Sequence, residues 1–169
     1  MFGIVRVENE KEFLKECRDR MILEYQREWV CKIGASDRYQ FYRSFKWHQG
    51  AELYLTSLRN ERLRNILIRF RMGLSELYIH QFRFRKDVQC LLCPTCTEKD
   101  EDEIHFLFLC PAYEDLRRTF LSTCYGSLIS DAIVQIFSSC DEDVVKKVAL
   151  YIYYAFRRRR EAVQMDVKL

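Results

Sequence analysis

A mainly α fold, an irregular helical bundle with a small Cys-Cys-His-Cys loop inserted before one of its helices, is what this chain of 169 residues predicts. Three observations predict it. Only 5 Gly and 2 Pro are present, too few for the tight turns of a many-stranded protein. Apolar residues recur at three- and four-residue intervals over several segments. Eight cysteines are present, and four of them crowd between Cys90 and Cys110. A composition 49% hydrophobic and 14% aromatic suffices to bury one core, so residues 1–169 are expected to form a single helical domain.

The elements follow in order. Phe13, Cys17, Met21 or Leu14, Tyr25 and Trp29 fall at helical intervals and predict a long helix from about Val7 to Lys32, ended by Gly34. This helix, within residues 1–35, is expected at the periphery. Ser36 and Asp37 can cap the aromatic-dense stretch from Tyr39 to Trp47, which reads as core without a clear period. A short helix is expected over Ala51–Leu58 and a longer one over Glu61–Met72, where Leu63, Ile66, Leu67, Phe70 and Leu74 form one stripe and Gly73 supplies a left-handed cap. Residues 74–84 are ambiguous. Pro111 starts a helix that buries Tyr113, Leu116, Phe120 and Leu121. Ser130 and Asp131 cap a short helix to Phe137. Asp141 and Asp143 favour the start of a last helix, which buries Val145, Val148, Ala149, Ile152 and Phe156 before reaching Arg157.

Formal net charge is only +3, but residues 98–103 hold five acids and one Lys, a local −4 that leaves +7 elsewhere. No early apolar run of signal length precedes the acidic residues near Glu8, so an intracellular, reducing compartment, nuclear or cytoplasmic, is expected. The apolar run Val148–Phe156 is too short for a membrane span, so no membrane partner is expected.

In a reducing compartment clustered cysteines point to metal. Cys93 and Cys96 are separated by two residues, His105 follows after eight and Cys110 after four more. Three thiolates and one imidazole suit tetrahedral zinc and fill all its positions, so residues 90–111 are expected to form a structural zinc substructure with no open coordination site. Cys90, separated from Cys93 by two residues, is the alternative ligand to Cys96. The acids between Cys96 and His105 either support the site electrostatically or stay hydrated. His48 and His80 stand outside any ligand spacing, and Cys17, Cys31, Cys124 and Cys140 read as packing residues. No nucleophile motif or Gly-rich phosphate loop is present, so neither enzymatic activity nor a small-molecule substrate is expected.

Three basic groups remain. Arg62 and Arg69 share one face of the Glu61–Met72 helix and Arg64 and Arg71 another, both off the apolar stripe. Arg83, Arg85 and Lys86 precede the cysteine loop, and Arg157, Arg158, Arg159 and Arg160 close the last helix. Such rows can track an RNA or DNA backbone, with Tyr78, Phe82 and Phe84 as stacking surfaces. They are equally the solvated faces of ordinary helices, and the terminal run also suits a localisation signal or the helix dipole.

The runs Arg69-Phe-Arg-Met-Gly73-Leu-Ser-Glu-Leu77, Arg83-Phe-Arg85, Cys93-Pro-Thr-Cys96, Glu101-Asp-Glu-Ile-His105-Phe-Leu-Phe-Leu-Cys110-Pro-Ala-Tyr113 and Leu116-Arg117 resemble the zinc-binding C-terminal region of non-LTR retrotransposon reverse transcriptases and their stand-alone relatives. Val148–Phe156 with its Arg run is similar to the closing helix of such reading frames, and the likeness covers about Phe41 to Glu161. The resemblance implies a helical, zinc-holding accessory segment that grips template RNA or target DNA. It stops short of polymerase chemistry, because no Tyr-X-Asp-Asp or Ala-Asp-Asp motif occurs to hold two catalytic metal ions. Eight residues rather than four separate Cys96 from His105, which also departs from the retroviral nucleocapsid knuckle. A domesticated helical module that binds protein, suggested by Tyr39–Trp47 and Tyr151–Tyr154, or a non-functional fragment of a retroelement, stands as the alternative.

Overall fold

The computed structural model describes residues 10–47, 49–52, 54–84, 91–124 and 126–166. Among them the fold is helical. Its α-helices are α1 (Glu10–Gly34), α2 (Gln40–Arg43), α3 (Tyr54–Ser57), α4 (Glu61–Arg71), α5 (Tyr78–Phe84), α6 (Glu114–Phe120), α7 (Ile129–Phe137) and α8 (Glu142–Asp166). Short 3-10 turns at Asp37–Tyr39, Pro111–Tyr113 and Ser122–Cys124 join several of them. None of the helices is long and apolar enough to cross a membrane.

The α4 and α8 helices form the spine, and their apolar stripes face each other. From α4 come Leu63, Leu67 and Phe70; from α8 come Val145, Val148, Ala149, Tyr151, Ile152, Ala155 and Phe156, all buried. Phe70 is the hub of an aromatic core, with ring centroids 5.7 Å from Phe41, 5.6 Å from Phe106, 6.1 Å from Phe137 and 6.2 Å from Phe156. Such spacing with inclined or offset rings is the favourable range for aromatic pairs. The 3-10 turn at Asp37–Tyr39 and the single turn of α2 bring Phe41 to the hub, and Phe45 meets Phe41 edge-on at 5.3 Å and Phe137 at 4.9 Å. The chain thus buries Phe41, Tyr42 and Phe45 of the aromatic stretch expected as core, half-buries Tyr39 and leaves Trp47 exposed.

Both ends of α4 are set locally. The Asn60 side chain accepts the Leu63 N–H at 3.2 Å, satisfying one of the orphan donors of the first turn. At the other end Gly73 N–H donates to Phe70 O and Leu74 N–H to Arg69 O, the paired bonds of a Schellman cap. Gly73 sits at φ +65°, and a Cβ there would lie 2.7 Å from the Arg38 carbonyl oxygen. Gly73→Ala therefore combines left-handed strain with a backbone clash, and a loss of about 2 kcal/mol or more is expected in urea unfolding. A loss below about 0.5 kcal/mol, the range of an ordinary surface substitution, would mean that the cap is not held against Arg38.

One helix start differs from the sequence reading. The α7 helix starts at Ile129, after Leu128, without a side-chain cap from Ser130 or Asp131. The α1 helix has no buried residue; Trp29 and Ile33 at its carboxyl end rest against the core, while Leu14, Met21 and Tyr25 remain exposed. Cys31 and Cys140 are likewise exposed rather than packed, whereas Cys124 is buried.

Candidate metal centre

Leu92 and Asp100 pair as an isolated antiparallel bridge, flanked by Cys93 N–H to Lys99 O at 2.8 Å and Glu101 N–H to Leu91 O at 2.6 Å. Between these two stretches of chain lies a tight turn. Thr97 N–H returns to the Cys93 carbonyl at 2.8 Å, and Thr97 itself takes φ +57°. The two-residue spacer thus puts both cysteines on one turn. Thr97 is exposed, and a left-handed residue with a branched Cβ costs on the order of 1 kcal/mol that glycine does not incur. Thr97→Gly is expected to leave thermal stability unchanged or slightly raised; a clear fall would assign the threonine side chain a role of its own.

The second half of the site is a π-helical turn, His105–Leu109. Cys110 N–H donates to the His105 carbonyl at 2.7 Å, an i to i+5 bond. An α-helix would point residues five apart in divergent directions; the wider turn brings them to one side. Asp102 caps the turn, its Oδ1 accepting the His105 N–H at 2.6 Å. The widened turn leaves the Phe106 and Leu107 carbonyls to other donors, and the buried Tyr151 hydroxyl of α8 stands 2.6 Å and 3.2 Å from them. Tyr151 is therefore a buried strut of the site.

The four donors converge. Cys93 Sγ lies 3.9 Å from Cys110 Sγ, Cys96 Sγ lies 3.2 Å from His105 Nε2, and all four ligand atoms fall within 4.8 Å of one another. With metal–sulfur bonds of about 2.3 Å and metal–nitrogen bonds of about 2.0 Å, a tetrahedral shell separates its donors by roughly 3.5–3.8 Å. The residues fit one metal ion. Cys93, Cys110 and His105 are buried, so the centre is closed on the protein side. Cys90, the alternative ligand, lies outside the described residues; the position opposite His105 is taken by Cys96.

Electrostatics favour a cation here. A hydrogen bond with Cys110 is the main cause that pulls the Cys93 thiol down to about 4, helped by Thr95 Oγ1 at 2.9 Å, and the same bond together with burial pushes the Cys110 thiol up. Metal binding needs both sulfurs as thiolates, so a bound dication would displace the proton of the Cys93–Cys110 contact. Thr95 Oγ1 also donates to the Tyr113 hydroxyl at 3.1 Å, anchoring the turn to the core.

The acidic loop between the ligand pairs is hydrated only in part: Glu98 and Asp100 are exposed, whereas Glu101 and Glu103 are buried. Glu101 is wholly buried, and its carboxylate receives Arg159 of α8 at 2.5 and 2.7 Å and the Tyr78 N–H of α5 at 2.8 Å. Glu103 accepts from His80 Nε2 at 2.9 Å and Arg83 at 2.7 Å. Burial raises both carboxyls. At Glu101 it outweighs Arg159, and the group stays above its ordinary range; at Glu103 the bonds from His80 and Arg83 prevail and hold it at about 2. These two carboxylates bolt the metal loop to α5 and α8.

That arrangement corrects the reading of two basic rows. Arg159, expected to face solvent, is buried against Glu101 and the Tyr78 ring. Arg71 is buried too: it donates to Phe137 O at 2.6 Å, pairs with Glu52 at 2.7 Å, and lies 4.6 Å from the Phe45 ring and 4.7 Å from the Tyr54 ring. Arg83 is taken by Glu103, Arg158 by Asp115 at 2.7 Å, Arg160 by Glu76 at 2.9 Å, and Arg64 by the Leu58 carbonyl at 2.9 Å. Arg62, Arg69 and Arg157 remain exposed, and Arg85 and Lys86 lie outside the described residues. His48 lies outside them as well.

No sequence signal announced the partners of the buried arginines, since a carboxylate 19 or 58 residues away leaves no periodic trace. Compared with protein-family models, curated proteins and solved structures, the chain matches none of them.

Proposed function

We propose that this protein is a non-catalytic helical module folded around one structural zinc ion, and that it contacts RNA or DNA backbone without sequence specificity. The observation that carries the first half is the set of three sulfurs and one imidazole nitrogen within 4.8 Å, all buried except the half-buried Cys96. Such a set matches zinc in softness and number and leaves no position for a reacting water. Cys93, Cys96, His105 and Cys110 would hold the ion, and its contribution is to folding. The nucleic-acid half is supported by the exposed Arg62, Arg69 and Arg157 and by the exposed Lys146 and Lys147 on α8. The motif likeness to retrotransposon reverse-transcriptase tails supports an origin as an accessory segment of such a protein.

Fluorescence anisotropy with labelled RNA and DNA over a range of salt concentrations tests the binding. Affinity is expected to fall along a log–log line whose slope is roughly −0.7 per phosphate contacted on a single strand. Absence of binding at low salt would remove the nucleic-acid reading and leave the zinc module. A second reading, a module that binds protein, is favoured by α1, where Leu14, Met21 and Tyr25 stand exposed beyond the part that rests on the core. A protein that stays monomeric and captures no partner through α1 would count against it.

A further inference from the structure

A cavity of about 160 Å³ lies between the carboxyl ends of α4 and α7 and the first turns of α8. Much of its wall is apolar: Phe45, Tyr54, Leu67, Ile136, Phe137 and Val148 line it and are all buried. Ala51, Ser138 and Cys140, which also line it, are exposed and mark its mouth. An engineered apolar cavity of about 150 Å³ takes up benzene, whereas sites for drug-sized molecules run to roughly 300–1,000 Å³. The space therefore suits one small molecule.

Part of the lining is charged. Lys46 and Arg71 contribute side chains that are 8% and 3% exposed, and Glu52, 17% exposed, is the one acid among the lining residues. Glu52 Oε1 meets Lys46 at 3.0 Å and accepts from the Tyr42 hydroxyl at 3.3 Å, while Oε2 accepts from Arg71 at 2.7 Å. Burial pushes the Tyr42 hydroxyl up to about 12 and raises that of Tyr54, so neither phenol adds a negative charge. Two cations against one carboxylate leave one positive charge in excess, and a buried charge without a counter-charge is costly. The Phe137 and Gly50 carbonyls take one donor each from Arg71 and Lys46, at 2.6 and 3.3 Å, without supplying that charge. The guanidinium is short of an acceptor as well, since the buried Arg71 Nε has none. Asp141, Glu142 and Asp143 at the start of α8 are exposed and outside the lining, and Asp141 Oδ1 accepts the Asp143 N–H at 2.8 Å. Exposed carboxylates are screened by water and do not neutralise a buried cation.

We propose that this cavity binds a small monocarboxylate, its apolar body against Phe45, Ile136 and Val148 and its carboxylate held by the Lys46 ammonium and the Arg71 guanidinium. Such a ligand supplies the missing charge and fills the apolar wall together. A bare inorganic anion would do only the first, and a neutral hydrocarbon only the second. None of the lining residues belongs to the metal centre, so the site is separate from it and from the nucleic-acid reading.

The test titrates the full zinc-loaded chain with benzoate, benzyl alcohol, benzylamine and chloride in a low-chloride buffer, by calorimetry and by amide spectra. Benzoate is expected to bind with a Kd of about 0.1–1 mM, the range open to a ligand of its size. Benzyl alcohol and chloride should each bind at least about tenfold more weakly, and benzylamine not at all, because only the carboxylate makes charge-assisted bonds from an apolar body. Amide shifts should centre on Phe45, Tyr54, Ile136 and Val148. Lys46→Met keeps the stem and the Arg71–Glu52 pair, and should weaken benzoate at least about fivefold with the thermal midpoint showing a folded chain. If that variant does not fold, the ligand series on the wild type decides alone. No saturation by about 10 mM benzoate, equal binding of benzyl alcohol or chloride, shifts centred elsewhere, or undiminished affinity in a folded Lys46→Met would overturn the proposal. Each of those results leaves the zinc and nucleic-acid readings untouched.

Discussion

Cys110→Ser is expected to purify without bound zinc, against one ion per chain in the wild type, and to lose at least about 5 kcal/mol of stability. Structural zinc binds small peptides with apparent free energies of about 10–16 kcal/mol, as large as the whole stability of an average domain at about 5–15 kcal/mol. The damage cannot stay local. Phe106 and Tyr113, on either side of Cys110, are fully buried, and the Phe106 ring lies 5.2 Å from Tyr113, 5.6 Å from Phe70 and 4.8 Å from Phe156. For a chain of this size a loss of about 5 kcal/mol corresponds to a fall of roughly 10–20 °C in the thermal midpoint. Chelation of the wild type should reproduce it. Cys31→Ser and Cys140→Ser, at exposed sulfurs, should change neither zinc content nor midpoint. A Cys110→Ser protein that keeps its metal, or loses it and melts as before, would dismiss the structural role.

Arg159→Met carries the next largest effect, a loss of about 3–5 kcal/mol in urea unfolding, because it strands the Glu101 carboxylate in a site with no solvent access. The side chains in question are 5% and 0% exposed, so the pair has little water to fall back on. Adding Glu101→Gln should restore most of the loss: the neutral amide oxygen can still accept the Tyr78 N–H, and the introduced methionine replaces the guanidinium stem against the Tyr78 ring. The two single substitutions and the double one form a cycle. If the double variant is as unstable as the sum of the singles, the two groups are not coupled and the loop is held by other means.

The helices were legible where an apolar stripe ran against charged residues, as along α4 and in the first half of α8, since burial of one face is written into a 3.6-residue period. The group that could hold a metal was legible because thiolates and an imidazole at such short spacings suit a single ion. Three features were not. The π-helical turn arises from the demand that His105 and Cys110 face one point, and the residues between them read as an ordinary apolar run. Arg71 and Arg159 sit off their apolar stripes, and only their distant partners Glu52 and Glu101 explain why they point inward. The surplus of exposed apolar residues on α1 satisfied helical spacing without any core to receive it, because periodicity shows which side can be buried and not whether anything lies opposite.

The order of α8 after the other helices has a consequence for synthesis. The aromatic hub gathers Phe41, Phe70, Phe106 and Phe137, but it is closed only by Phe156, and Tyr151 and Arg159 hold the metal loop from the same helix. A nascent polypeptide can form its early helices as it emerges from the ribosome, yet it has nothing to seal them with until α8 follows. The cysteine loop therefore stays unanchored until α8 arrives to hold it.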